Sequence, residues 1–105
     1  MAEPVVVYVS AGSEEEADRM ARFVVEKKLA ACCTIIPGVR SVYRWEGVVE
    51  QASEVLIMIK TSRDAFPALE TEIKRLHSYA IPEIIALPII AGHEPYLRWL
   101  EASIL

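Results

Sequence analysis

Cys32-Cys33-Thr34-Ile35-Ile36-Pro37-Gly38-Val39-Arg40-Ser41-Val42-Tyr43-Arg44-Trp45-Glu46-Gly47-Val48-Val49-Glu50-Gln51-Ala52-Ser53-Glu54-Val55-Leu56-Ile57-Met58-Ile59-Lys60 reads as one β-hairpin, and it decides the fold. The first arm reads as β from Cys32 to Ile36, is interrupted by Pro37-Gly38, which should kink or bulge it, and resumes from Val39. Tyr43 and Trp45 fall on one face and Arg44 on the other. Glu46-Gly47 reads as the turn. The return arm ends in the apolar run Val55-Leu56-Ile57-Met58-Ile59. Each arm exceeds a dozen residues, whereas an average strand has about 5–6. Such a hairpin overhangs whatever helices flank it, and its exposed backbone edges must be covered or paired. Pairing with another subunit is the simplest solution.

Upstream, Val5-Val6-Val7-Tyr8-Val9 is a strand of the kind buried on both faces, broken by Gly12. Ser13 fits a helix N-cap, with Glu16 three residues on completing a capping box. Glu14, Glu15 and Glu16 suit the first turn, and Lys27 and Lys28 the end. Ala17, Met20, Ala21 and Val24 form one apolar stripe, and Glu15–Arg19 and Asp18–Arg22 are i, i+4 pairs on the wet side. Downstream, Arg63 to His77 reads as a second helix buried through Phe66, Leu69, Ile73 and Leu76, with Pro67 tolerable only in its first turn. Ile84 to Ile90 is a strand in which Pro88 demands a bulge or a free edge. Glu94-Pro95 opens a short C-terminal helix carrying Tyr96, Leu97, Trp99 and Leu100.

The order β-α-β-β-α-β plus a terminal helix predicts an α+β, ferredoxin-like fold: one antiparallel sheet, two helices on one face and the other face bare. The bare apolar face and the overhanging hairpin both point to a homo-oligomer. The chain of 105 residues is a single domain, 1–105. Its apolar share is 53%, against about 45–50% for an average domain, and a small interior leaves part of that for a subunit interface. The net charge of −4 is spread evenly, with nine acids and seven bases in residues 1–60 and six and four in residues 61–105. With no basic stripe, a nucleic-acid partner is not expected. No apolar stretch approaches the ~20 residues of a membrane span, so no membrane partner is expected. The start lacks the features of a signal peptide. Cys32 and Cys33, the only cysteines, would point to opposite faces of a strand and stay unbridged. Two free thiols fit a reducing, cytoplasmic setting.

Three stretches resemble the CutA family, named for divalent-cation tolerance. They are Leu29-Ala30-Ala31-Cys32 through Ile36-Pro37-Gly38; Ser41-Val42-Tyr43-Arg44-Trp45-Glu46-Gly47 with Glu54-Val55 and Ile59-Lys60-Thr61; and His77-Ser78-Tyr79, Pro82-Glu83-Ile84-Ile85-Ala86-Leu87-Pro88, Gly92 and Tyr96-Leu97-Arg98-Trp99. The resemblance covers essentially the whole chain. It implies a ferredoxin-like subunit in a tight homotrimer, cytoplasmic residence, and a non-enzymatic role linked to copper and other divalent ions. It departs from the family in having Ser78 where proline is frequent, and Cys33 as an additional thiol. Where some relatives carry a first-strand cysteine regarded as a copper ligand, this chain has Val7-Tyr8-Val9.

His77 and Glu83 are the candidate metal ligands, since imidazole and carboxylate suit Cu(II) or Zn(II). The plainer reading is a helix-terminal histidine beside a locally paired glutamate. Thiolates suit Cu(I), but Cys32 and Cys33 read as inert packing residues, and His93 as a solvent-facing loop histidine. No cofactor is required by this pattern; the cation that the resemblance allows is Cu(II) or another divalent ion. Tyr43, Trp45, Lys60 and Tyr79, with Glu83, have the makeup of a cleft for a small anion or ring; the plainer reading is interface packing. No Gly-x-Ser-x-Gly, His-Glu-x-x-His or phosphate loop is present. Ser10-Ala11-Gly12-Ser13 lacks the arginine, and the chain the asparagine, of acylphosphatase-like chemistry. The Val55–Ile59 strand lacks the sheet-face aromatics of an RNA-recognition domain. The expected function is therefore a trimeric response to divalent metal ions. The alternatives are a PII-like trimeric small-molecule sensor, or a structural interaction trimer without ligand. Apolar composition and the long hairpin predict a heat-resistant assembly whose unfolding is coupled to dissociation.

Overall fold

The computed structural model describes residues 3–105. The elements are β1 (Pro4–Ala11), α1 (Glu14–Glu26), β2 (Cys32–Trp45), β3 (Val48–Ser62), α2 (Phe66–Leu76), β4 (Ile84–Pro88) and α3 (Glu94–Ala102). They form one four-stranded sheet in the order β2-β3-β1-β4, with every neighbouring pair antiparallel. β4 is an edge strand, so the missing N–H of Pro88 costs no ladder bond there. The fourth strand stops at Pro88 rather than Ile90.

Alternation on β1 and β3 sorts the two faces. Val5, Val7 and Val9 of β1 and Val55, Ile57 and Ile59 of β3 are buried against Ala17, Met20, Ala21 and Val24 of α1 and Leu69 and Ile73 of α2. Burying each large side chain of that set stabilises by about 1.5–3 kcal/mol. Truncating Ile57, which is fully buried, would cost about 2–5 kcal/mol. The opposite face carries Val6, Tyr8, Leu56 and Met58, half-buried, with Ile85 and Leu87 exposed. It is not wholly bare: α3 packs against β1 and β3, buries Leu100, and brings the Tyr96 hydroxyl to 3.4 Å from Cys32 Sγ. Cys33 faces the other way, its Sγ 3.9 Å from Ala21 O. The two thiols are free and on opposite faces, and burial pushes Cys33 up to about 12.

Helix α1 begins with half of the expected capping box: Ser13 Oγ accepts from Glu16 N–H at 3.2 Å, while the Glu16 carboxylate accepts from Gly12 N–H rather than from Ser13. It ends earlier than the lysines suggest. Lys27 is the C-cap and Lys28 follows it at φ +60°. Leu29 N–H bonds Val24 O at 2.9 Å and Lys28 N–H bonds Val25 O at 3.0 Å. That pair of bonds is the Schellman closure, here with lysine where glycine is usual. Asp18 and Arg22 pair at 2.8 Å. Helix α2 is shorter at both ends than Arg63–His77. Ser62 Oγ accepts from Ala65 N–H ahead of it, and His77 has already left helical geometry with ψ 140°.

The hairpin has the length its sequence predicts. β1 ends opposite Val55, so β3 from Glu54 back to Val48 pairs with β2 alone. These seven pairs project roughly 20 Å beyond the four-stranded body. The break at Pro37-Gly38 lies where the overhang starts. Between the pairs Ile36–Leu56 and Val39–Glu54, β2 advances three residues and β3 two. This one-residue bulge inverts the side-chain parity of the outer β2 arm. Counted from the turn, Tyr43 faces with Glu50, its register partner, and Trp45 with Val48. Gly38 holds the bulge at φ +74°. Glu46 and Gly47, both at positive φ (50° and 81°), close the tip in the primed type of turn that matches strand twist.

Candidate functional site

Where the overhang leaves the body, the loop between α2 and β4 folds over the end of β1. A cleft of about 650 Å³ lies between this loop and the hairpin. The hairpin contributes Tyr43, Trp45, Glu50 and Glu54; the loop contributes Tyr79 and Glu83. The cleft is open to solvent, with Tyr43 and Trp45 exposed on the hairpin and Ile81 on the loop.

The loop is pinned by a buried polar network. His77 Nε2 lies 2.7 Å from Ser10 O, and Tyr79 N–H donates to His77 Nδ1 at 3.0 Å. A carbonyl only accepts, so Nε2 carries the proton and Nδ1 the lone pair. Glu16 closes the other side: Oε1 accepts from Gly12 N–H at 3.2 Å and Oε2 from Ser78 N–H at 2.7 Å, with His77 Nδ1 at 3.9 Å from Oε2. Glu16 thus caps the approach to α1 and the exit of α2 together. Its burial raises its pKa, but the hydrogen bonds from Ser78 and Gly12 and the proximity of His77 outweigh this, leaving it below the usual carboxylate range. Tyr79 OH then donates to Glu54 Oε2 at 2.8 Å. Burial, and next that bond to Glu54, push Tyr79 up to about 12. The hydroxyl therefore remains a donor at neutral pH.

The structure brings Tyr43, Trp45, Tyr79 and Glu83 into one cleft, and leaves two of the other candidates outside it. Lys60 lies six residues along β3 from Glu54, roughly 20 Å away, where its Nζ donates to Thr34 Oγ1 at 3.0 Å. His77 sits behind the loop with its side chain fully buried and both ring nitrogens engaged. It could ligate a metal through Nδ1 only by releasing the Tyr79 N–H. Among the described residues, no group of three or more His, Cys, Asp or Glu side chains is arranged to hold a metal ion. Sequence reasoning missed Glu50 and Glu54 as cleft residues and Glu16 as the loop's anchor. A capping box signalled Glu16, but its bond to Ser78 spans 62 residues and leaves no local trace.

The family described as CutA1 divalent ion tolerance protein matches residues 5–103. This chain belongs to the CutA1 family. It is 48% identical over 98 residues to the divalent-cation tolerance protein CutA of Thermus thermophilus, covering 93% of this chain and 95% of that one. It is 44% identical to the chloroplastic protein CutA of Arabidopsis thaliana over 94% of this chain and 54% of that protein, so it spans about half the plant relative. Among solved structures, CutA1 from Oryza sativa superposes with a TM-score of 0.96 at 43% identity, over 99% of this chain and 95% of that one. The runs around Tyr43 and Glu83 that resemble the family fall on the two walls of the cleft. No helix among the described residues is long and apolar enough to cross a membrane.

Proposed function

We propose that this chain acts, without catalysing a reaction, in tolerance of divalent metal ions as a cytoplasmic homotrimer of ferredoxin-like subunits. A divalent ion such as Cu(II) is held at the mouth of the cleft by Glu83, with carboxylates of the hairpin and groups from a neighbouring subunit. His77 joins through Nδ1 if its bond to Tyr79 opens. One observation carries this reading: three carboxylates line the cleft, yet no single chain completes a metal shell among its described residues. An ion site then requires more than one subunit. The unpaired overhang and the exposed Val42, Val48 and Val49 on it give each subunit a surface to pair with the next. A host lacking its own relative should regain growth in elevated copper on expressing this chain, and lose that gain with Glu83→Gln. Growth unchanged by the wild-type chain would refute the tolerance role.

The size of the cleft favours a second reading, a PII-like sensor of a small molecule. About 650 Å³ lies within the range of small-ligand sites, about 300–1,000 Å³, and far exceeds the volume of a bare ion.

A further inference from the structure

Three carboxylates, Glu50, Glu54 and Glu83, and three aromatic rings, Tyr43, Trp45 and Tyr79, line the cleft, and no lysine or arginine does. An anionic ligand would meet only like charge there. Glu54 adds an independent observation. It is only 9% exposed, its carboxylate receives a single hydrogen bond, from Tyr79 OH, and no ion pair engages it among the described residues. A glutamate buried to that degree normally has a counter-charge. The carboxylates also fail to converge on a point, so a compact ion would satisfy few of them at once. A cation with its charge at separated positions on an apolar body fits this spacing better, and the rings supply faces for its methylenes and its ammonium groups.

We propose that the cleft binds an organic cation, a di- or polyamine or a guanidinium compound, with Glu54 as the buried counter-ion and Tyr43 and Trp45 as the walls. This rests on the second reading above, that the cleft takes a small molecule.

Three four-carbon probes that differ only in charge test it: 1,4-diaminobutane, 1,4-butanediol and succinate, titrated calorimetrically into the purified native assembly at physiological salt. Saturable binding of the diamine alone is expected, weakened roughly 30-fold or more by Glu54→Gln, which keeps the acceptor for Tyr79. Trp45→Ala should weaken it independently, and serves if Glu54→Gln fails to fold. Saturable binding of the diol or succinate with none of the diamine would overturn the proposal while leaving a small-molecule sensor standing. No binding of any probe would overturn the proposal. Diamine binding unchanged by both substitutions would place it elsewhere and also overturn the proposal.

Discussion

Tyr79 OH donates a 2.8 Å hydrogen bond to Glu54 Oε2, joining the loop after α2 to the first hairpin residue beyond the end of β1. Among the described residues it is the one hydrogen bond received by the side chain of Glu54, a residue only 9% exposed. Tyr79→Phe should therefore destabilise by about 2 kcal/mol, the cost of stranding a buried acceptor. Urea unfolding at fixed protein concentration measures it, and a change within error of zero would mean that water replaces the phenol freely.

Tyr79 also contributes to the alkaline limb of stability. Tyr79 is pushed up to about 12, by burial and then by Glu54, from about 10 unfolded. A raised pKa means that its contribution is complete below about pH 10 and is lost as pH climbs from there toward about 12. Cys33, also raised to about 12, adds to the same limb from about pH 8.5 upward. Unfolding free energies across pH 8–12 should fall for the wild type and fall less for Tyr79→Phe.

Acid acts through Glu16, whose pKa is lowered because its bonds to Ser78 and Gly12 and the nearness of His77 outweigh burial. Its contribution is present above its unfolded value of about 4.3 and is lost as pH falls through the folded value. Glu16→Gln should remove most of this dependence and cost about 2–3 kcal/mol at neutral pH, in the range for charged hydrogen bonds. Hydrogen exchange at Ser78 and Gly12 should rise with it. Protection unchanged in the variant would show that other partners hold these amides.

Two backbone positions carry residues poorly suited to their conformation. Lys28 closes α1 at φ +60° and Glu46 opens the hairpin turn at φ +50°. Lys28→Gly should stabilise by about 1 kcal/mol. Glu46→Asn, giving Asn-Gly in a primed turn, should add about 0.5 kcal/mol. Both are read from the denaturant midpoint, and a lowered midpoint in either would contradict the assigned geometry.

What was legible in the sequence was what is periodic or punctuated. The apolar stripe of α1, the break at Pro37-Gly38 and the turn at Glu46-Gly47 each depend on neighbours within a few residues, and each stands where it was expected. The cleft was legible in part. Tyr43 and Trp45 share a face by simple alternation, and the two-residue turn at Glu46-Gly47 sets Tyr43 opposite Glu50, but which side of the four-stranded body that face meets depends on the extra residue supplied by the bulge at Pro37-Gly38. Lys60 reads as a cleft cation because aromatics with a lysine and a glutamate can hold a small anion, yet roughly 20 Å of β3 separates it from Glu54. His77 reads as a ligand because imidazole often is one. The contacts that occupy it, Ser10 O at 67 residues' separation and the amide of Tyr79, depend on how the loop folds over β1.

The two candidate ligands should separate experimentally. His77→Ala strands Ser10 O and Tyr79 N–H and should cost about 2–4 kcal/mol, whatever its effect on metal. Glu83→Gln, in the cleft wall, should leave stability within about 0.5 kcal/mol of wild type. A loss of metal uptake in Glu83→Gln therefore reports on the ion site, whereas a loss in His77→Ala alone reports on the loop.

Native mass spectrometry of the purified chain, titrated with Cu(II) and then with a chelator, tests the central claim most directly. The account predicts a trimer that takes up a fixed number of ions per subunit, releases them to the chelator, and loses that uptake with Glu83→Gln. Monomers at micromolar concentration, or a trimer that takes up copper without a stoichiometric end point, would contradict it.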